Sequence, residues 1–292
     1  MCDPPLFILG SPRSGTTLLR LLLASHQDIL VPPECGYILW NAPAFADWSI
    51  RDAKNPARVD ELVRAILSSK KMDTWGLDQH LLKENIIRFG SSYQRVCDAV
   101  IAAYAHKTGK TYKFWGDKNN YYIHYINEIA SLFPDARFIH IVRDGRDVAC
   151  SYREVMELES ASSFKPDLPT EAGEIAEQWH KNVSTVEASL SAMIKPKNTF
   201  RVRYEDIVTD CLPQMQGLCQ WLAVDFDPNM LSFHKKNMEQ GLEPSQTMDW
   251  KKRTLGPVSA DTLGRYSRLL SPEEIQCFNQ IAKESLCRFD YL

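Results

Sequence analysis

The stretch FILGSPRSGTTLL, Phe7 to Leu19, decides the fold, because it runs from an apolar segment through a glycine loop into a helical pattern. The apolar run Leu6 to Leu9 ends at a glycine, which predicts a buried strand of a parallel sheet. A helix is predicted from about Ser14 to Ser25, where most positions are apolar and no helix breaker occurs. Strand, glycine loop and helix in this order are the context that a phosphate-binding loop requires.

The loop itself departs from the usual phosphate-binding pattern. Gly10 and Gly15 have the G-x-x-x-x-G spacing, but Thr16 and Thr17 stand where Lys and Ser/Thr would follow. Backbone N–H groups at a helix N-terminus form an anion site without any side-chain charge, and Arg13 adds a planar donor. The loop therefore suits a nucleotide with one 5′-phosphate and a less charged group beyond it, although a glycine-rich turn without a ligand has the same spacing.

The rest of the chain alternates predicted strands with predicted helices, which indicates an α/β fold with a parallel sheet covered on both faces. Further strands are expected in DILVPPE, TYKFWGDK, Phe138 to Val142 and TFRVRYEDI. A helical insertion is expected at about 39–110, and a C-terminal lid and helix at about 240–292. We expect a single domain over 1–292, because no Gly/Ser-rich linker divides the chain.

The composition is that of a globular protein and gives no sign of a nucleic-acid-binding or membrane-spanning one. The chain has 292 residues, 44% hydrophobic and 24% charged, which is typical of a globular protein. A net charge of −3 gives no general reason to expect a nucleic-acid partner. Eight scattered cysteines predict reduced thiols in a cytoplasmic protein. We expect neither a signal peptide nor a membrane span, and the dispersed histidines form no zinc pattern.

A second stretch, IHIVRDGRDVACSY, is the clearest strand-to-helix unit of the chain. It places Arg143 at the end of a strand and Ser151 two turns into the next helix. Both could face one anion at the carboxyl edge of the sheet, where open α/β folds bind ligands, and Arg is a preferred bidentate partner of phosphate. The alternative is that Arg143, Asp144 and Arg146 form a solvated, salt-bridged turn.

Two anion sites on adjoining strand-to-helix turns indicate a nucleotide with phosphates at both the 5′ and 3′ positions. SPRSGTTLL and VRDGRDVACSY resemble the 5′-phosphosulfate loop and the 3′-phosphate motif of sulfotransferases that use 3′-phosphoadenosine 5′-phosphosulfate (PAPS). The resemblance runs from Leu6 to the C-terminus, weakly between Leu39 and Lys110. It is strongest to bacterial sulfotransferases and to the core of tyrosylprotein sulfotransferases.

The resemblance implies a P-loop-like three-layer sandwich and transfer of a sulfuryl group to an acceptor hydroxyl by in-line displacement, with release of 3′-phosphoadenosine 5′-phosphate (PAP). No metal is expected, since a sulfuryl group carries less negative charge than a terminal phosphoryl group. The PAPS-binding residues implied are Arg13, Ser14, Gly15, Thr16, Thr17, Arg143, Ser151, Tyr204 in RVRYEDI and Arg265 in LGRYSRLLS.

The same resemblance implies two catalytic residues beside Arg13. Lys118 in GDKNN corresponds to a catalytic lysine that would stabilise charge on the leaving phosphate. Glu34 in VPPECGY lies twenty-one residues after Arg13, the separation of a proposed catalytic glutamate. Burial in a cleft is expected to raise the pKa of Glu34 toward that of a useful general base. The structural alternative for Lys118 is an exposed lysine at the start of a helix, and the alternative for Glu34 is a carboxylate in a loop salt bridge. His124 is a second candidate base.

Two other functions compete with the sulfotransferase. A P-loop kinase or NTPase would depend on Mg²⁺ and bind ATP, and the missing loop lysine counts against it. A catalytically inactive nucleotide-binding module would keep Arg13, Arg143 and Ser151 without needing Lys118 or Glu34. The sequence leaves the acceptor open among peptide tyrosine, carbohydrate, lipid or polyketide alcohol and small phenol. It also leaves the oligomeric state open.

Overall fold

The computed structural model describes residues 4–292 and contains one five-stranded sheet. Its order is β2-β3-β1-β4-β5, and all four strand pairs are parallel. This confirms the expected parallel α/β architecture. The strands are β1 Leu6–Leu9, β2 Ile29–Leu30, β3 Phe114–Lys118, β4 Arg137–Val142 and β5 Thr199–Arg203.

Alternation along the central strand β1 builds a core on each face of the sheet. Phe7 and Leu9 pack into one apolar cluster, whereas Leu6 and Ile8 pack into another. All four residues are at most 1% exposed. Side chains alternate between the two faces of a strand, so four consecutive apolar residues require helices on both faces. The result is the expected three-layer arrangement.

Helices cover both faces of the sheet within residues 4–292. They are α1 Thr16–Ala24, α2 Tyr37–Phe45, α3 Ile50–Ala53, α4 Pro56–Leu67, α5 Gln79–Phe89, α6 Tyr93–Thr108, α7 Ile126–Leu132, α8 Gly145–Glu157, α9 Ala172–Met193, α10 Tyr204–Thr209, α11 Cys211–Leu222, α12 Phe233–Gln240, α13 Tyr266–Leu269, α14 Pro272–Ile281 and α15 Lys283–Arg288. α1, α10, α11 and α12 pack on the face with Ile8, and α2, α4, α5, α6 and α7 pack on the face with Phe7.

The helices α2 to α6 lie between β2 and β3 in the chain, where the sequence predicts a helical insertion. The side chain of Asn55 caps α4 at its N-terminus, and Gly109 closes α6 in a left-handed conformation with φ 66°. A short 3-10 helix, Met72–Trp75, connects α4 to α5. It brings Lys71 to the edge of the sheet.

Two predicted helices are shorter than their periodicity suggests. The pattern after Lys118 forms a 3-10 helix, Asn120–His124, and only then α7, because the Asn119 side chain accepts a hydrogen bond from the Tyr121 N–H and fixes a tight turn. The last predicted helix divides at Ala282 into α14 and α15. Its predicted capping box between Ser271 and Glu274 is present.

No helix within residues 4–292 is both long and apolar enough to cross a bilayer.

Candidate active site

A cavity of about 910 Å³ opens at the carboxyl ends of β1, β3 and β4. Most of the residues predicted for the site line it: Arg13, Gly15, Thr16, Thr17, Glu34, Lys118, Arg143, Ser151, Tyr204 and Arg265. Ser14 is buried in the loop behind the cavity wall. The sheet therefore brings residues from six separate stretches of the chain to one edge.

The glycine loop has the backbone geometry of an anion cradle. Gly15 is the N-cap of α1 with φ 90°, and a Cβ at this position would collide with the ring of Tyr204. Glycine is therefore required both by the left-handed conformation and by the neighbouring ring. The first N–H groups of α1 have no acceptor within the helix and point toward the loop. The loop can thus hold an anion through its backbone.

The glycine loop and the second stretch are joined directly. The Arg13 Nε donates to Ser151 Oγ at 3.1 Å, and an Arg143 guanidinium nitrogen donates to the Arg13 carbonyl oxygen at 3.3 Å. The other terminal nitrogen of Arg143 donates to the Thr262 carbonyl oxygen at 2.9 Å. The Arg143 guanidinium also lies over the Tyr204 ring, 4.5 Å from its centroid. The two predicted anion sites therefore share one cavity.

Arg13 and Arg143 place two neighbouring positive charges in the cavity wall. Burial, followed by repulsion from Arg143, lowers the pKa of Arg13 to about 10. Among the described residues, the Nε atoms of Arg143 and Arg265 and the buried Oγ of Ser14 have no hydrogen-bond partner. Buried polar groups normally have partners. An anion bound beside Arg13 and Arg143 would be attracted by both guanidinium groups.

Glu34 lies between two lysines. The Lys118 ammonium donates to Oε2 of Glu34 at 2.5 Å, and the Lys71 ammonium donates to Oε1 at 2.8 Å. Burial by itself would raise the pKa of the Glu34 carboxyl, but the charges of Lys118, Lys71 and Lys251 hold it well below its usual range. The expectation of a raised pKa is therefore wrong, because three ammonium groups outweigh desolvation.

A buried ion network that the sequence analysis missed lies behind this pair. Arg20 of α1 donates to Glu243 Oε2 at 2.6 Å, and Lys251 donates to Glu243 Oε1 at 2.5 Å. Arg20 also donates to the Val31 carbonyl oxygen, three residues before Glu34. Lys251 lines the cavity, and burial lowers its pKa to about 8 against the opposing effect of Glu243. The network fixes a further cation beside the pair of Glu34 and Lys118.

Two further basic residues, of which only Arg265 was predicted for the site, form ion pairs with glutamates. Arg265 forms a two-pronged ion pair with Glu154, at 2.7 and 3.1 Å. Glu154 lies three residues after Ser151 on α8, so both side chains are on one face of the helix. This spacing is visible in the sequence and could have identified Glu154 as a residue of the cavity wall. Arg153 instead pairs with Glu274 at 2.5 Å and is not part of the cavity wall.

His124, the second candidate base, does not line the cavity. His124 is exposed on the 3-10 helix after β3. His26 is fully buried with its Nε2 2.8 Å from the Asp225 carbonyl oxygen, and His140 is fully buried 2.8 Å from Glu187. Glu34 is therefore the candidate base that the fold places beside Lys118.

A model of the sulfotransferase family matches residues 4–228 of the chain. Protein-tyrosine sulfotransferase 1 of Danio rerio is 24% identical over 291 residues, which are 99% of this chain and 72% of that protein. Protein-tyrosine sulfotransferase 1 of Mus musculus is 32% identical over 143 residues, 49% of this chain but only 32% of that protein. The match covers most of the Danio rerio protein but only about a third of the Mus musculus protein.

Solved structures with a similar fold are also sulfotransferases. The sulfotransferase domain from the curacin biosynthetic pathway superposes with a TM-score of 0.54 at 22% identity, covering 92% of this chain and 98% of that one. A mouse sulfotransferase complexed with PAP superposes with a TM-score of 0.53 at 12% identity, covering 98% and 85%. At these identities the likeness concerns the fold, while the family model concerns descent. The chain belongs to the sulfotransferase family.

Proposed function

We propose that this protein transfers a sulfuryl group from PAPS to an acceptor hydroxyl and releases PAP. The observation that carries the proposal is the hydrogen bond from Arg13 to Ser151, which joins two anion sites on different strand-to-helix turns within one cavity. A nucleotide with anionic groups at both its 5′ and 3′ ends fits such a pair. The PAP present in the related mouse structure supports the same ligand class.

The residues that line the cavity fit the anionic groups of PAPS by their charge and their donors. Gly15, Thr16 and Thr17 would receive the 5′-phosphosulfate on backbone N–H and hydroxyl groups. Arg143 and Ser151, which both line the cavity, would bind the 3′-phosphate. Arg143 directly follows β4 and Ser151 lies in α8, and β4 pairs with β1, the strand before the glycine loop. Tyr204 and Arg265 would enclose the nucleoside between them.

PAPS supplies an activated sulfuryl group on a phosphate leaving group. Lys118 would stabilise the negative charge that develops on the leaving phosphate, and Arg13 would help to orient the transferring group. Glu34 would accept the proton of the attacking hydroxyl. Lys118 and Glu34 are already within hydrogen-bond distance of each other, so both face one point in the cavity.

The low pKa of Glu34 fits this role only if its ion pair with Lys118 is temporary. Lys118 makes the largest of the charge contributions that keep Glu34 ionised. An anion that draws Lys118 away would remove that contribution and raise the pKa of Glu34. Glu34 would then gain basicity only when the donor site is filled.

The helical insertion, the loop at 160–174 and the C-terminal segment would form the acceptor side of a single domain. Phe164, Leu168 and Trp250 line the cavity with apolar surface, and Phe164 lies beside Lys71 near Glu34. A hydroxyl on a partly apolar acceptor suits this wall. The protein-tyrosine sulfotransferases among the relatives support a phenolic hydroxyl as the first acceptor to test.

Isothermal titration calorimetry with PAP, ADP and ATP, each with and without Mg²⁺, tests the donor assignment. We expect PAP to bind at least about 10-fold more tightly than ADP, because only PAP has its second phosphate at the 3′ position, where charge-assisted hydrogen bonds of about 1.5–3 kcal/mol would form. We expect the same PAP affinity in EDTA. Preferential binding of Mg·ATP would instead support the kinase or NTPase alternative.

Replacing Arg143 by alanine is expected to weaken PAP binding by about 10- to 100-fold, since a charge-assisted pair to phosphate is lost. AMP, which lacks the 3′-phosphate, should lose less than about 3-fold. Calorimetry of both nucleotides on the wild type and the variant measures the difference, with the melting temperature as a check on folding. Equal losses for PAP and AMP would show that Arg143 does not bind the 3′-phosphate.

A further inference from the structure

Lys71 contacts Glu34 from a part of the chain that neither anion site includes. It lies in the insertion between α4 and α5, and its ammonium is 2.8 Å from Oε1 of Glu34. Lys118 takes the other oxygen, Oε2, at 2.5 Å. Each oxygen of the carboxylate thus has its own ammonium partner, one from the insertion and one from the sheet.

Hydrogen bonds join the segment around Lys71 to the residues on both sides of Glu34. The Trp75 indole N–H donates to the Pro33 carbonyl oxygen at 2.9 Å, and the Cys35 thiol donates to the Lys70 carbonyl oxygen at 3.5 Å. Trp75 is fully buried. The two segments are therefore held together by side-chain-to-backbone hydrogen bonds and not only by the ion pair between Lys71 and Glu34.

The conformation of Lys71 is unusual for its residue type. Its φ is 71°, in the left-handed region that favours glycine, and only Arg13, Ala223 and Asp290 share this feature among the non-glycine residues of 4–292. A long side chain at such a position is held there against a steric cost. Of these four residues, Arg13 and Lys71 line the cavity. The Lys71 ammonium also lies 5.8 Å from the centroid of the Phe164 ring.

We propose that Lys71 is a positioning residue that holds Oε1 of Glu34, so that the carboxylate keeps its orientation toward the acceptor when Lys118 leaves Oε2 for the donor. This inference rests on the proposed function. It assigns Lys71 no contact with PAPS or with the leaving phosphate. A carboxylate released by one ammonium would otherwise be free to rotate, and small misplacements of a reacting group reduce rates strongly.

Four variants separate this role from a general contribution to folding. Lys71→Met keeps the length and the strained backbone but removes the charge, Lys71→Arg keeps the charge, and Lys71→Gln is a second neutral variant should the methionine variant not fold. Lys83→Met is the matched control, because Lys83 of the same insertion pairs with Asp60 at 2.5 Å away from the cavity. Turnover is followed as PAP release from PAPS with 4-nitrophenol or, if that phenol is not accepted, with water.

We expect Lys71→Met to lower kcat by about 10- to 100-fold while the KM for PAPS and the calorimetric affinity for PAP change by less than about 3-fold. Lys71→Arg should restore most of the turnover, and Lys83→Met should match the wild type. The groups that face Glu34 are Lys118, Lys71 and Lys251, together with the acid Asp117. Loss of Lys71 should therefore raise the pKa of Glu34, measured from its carboxyl ¹³C signal, and Lys71→Arg should not.

The inference is overturned if both neutral variants turn over like Lys83→Met, or if they weaken PAP binding as much as they lower kcat. Failure of the proposed function looks different, because the wild type itself would then neither bind PAP nor release it from PAPS. In that case the carboxyl titration still decides whether Lys71 holds Glu34, since it needs neither donor nor acceptor.

Discussion

Replacing Lys118 by methionine is expected to lower kcat for sulfuryl transfer by about 100- to 1,000-fold, the loss typical of removing one group that stabilises transition-state charge. Lys118 is only 2% exposed at the end of β3, so methionine of similar length fills its place without opening the cavity. The charge on the leaving phosphate grows only as the bond breaks. The KM for PAPS should therefore change by less than about 5-fold.

Steady-state kinetics with PAPS and a phenolic acceptor measure this effect, and calorimetry with PAP measures ground-state binding. Lys113→Met is the control, since Lys113 precedes the same strand and pairs with Asp28 on the exposed edge. A Lys118→Met enzyme with nearly unchanged kcat, or one whose only defect is in PAP affinity, would contradict the role assigned to Lys118.

The parts of the fold that sequence predicts well are those set by local pattern. The four apolar residues of β1 and the glycine spacing after them specify a buried strand and an anion loop within thirteen residues. Arg143 and Ser151 follow from the same logic, because a strand end and the next helix must meet at the carboxyl edge of the sheet. Ser271 and Glu274 likewise cap α14 through a local motif.

The parts that sequence did not predict depend on contacts between distant segments. Arg20 and Glu243 are 223 residues apart, and Glu34 and Lys71 are 37 residues apart, with no motif linking either pair. Each carboxylate alone is compatible with a surface loop. Only the fold shows which segments meet around these ion pairs: α1, the segment after β2, the insertion and the C-terminal segment. Long-range ion pairs of this kind leave no periodic signal in the chain.

The electrostatics of Glu34 show the same limit. Burial can be expected for a residue at the end of a buried strand, and burial alone raises the pKa of a carboxyl group. The direction is reversed here by Lys118, Lys71 and Lys251, of which the sequence analysis considered only the first, and not as a partner of Glu34. The direction of a pKa shift in a cleft depends on every charged group around the carboxyl group. A single sequence motif contains only some of these groups.

Replacing Glu34 by glutamine is expected to lower kcat by about 100- to 10,000-fold, because the amide keeps the shape of the side chain but cannot accept the proton of the acceptor. The substitution also frees Lys118 and Lys71 from their shared partner. The positive charge of the cavity therefore rises, and PAP affinity should stay equal or increase. Glu61→Gln, in an exposed pair with Arg58 on α4, is the control.

The pH profiles give this prediction its sharpest test. Because the pKa of Glu34 lies well below its usual range in the free enzyme, Glu34 stays ionised as pH falls to about 5, and kcat/KM should show no acid limb from it above that pH. In the donor complex Lys118 is drawn away and the pKa of Glu34 rises, so the acid limb of kcat should lie at higher pH than that of kcat/KM. Glu34→Gln should abolish the acid limb of kcat. An unchanged limb in this variant, or a kcat within about 3-fold of the wild type, would assign the proton to another group.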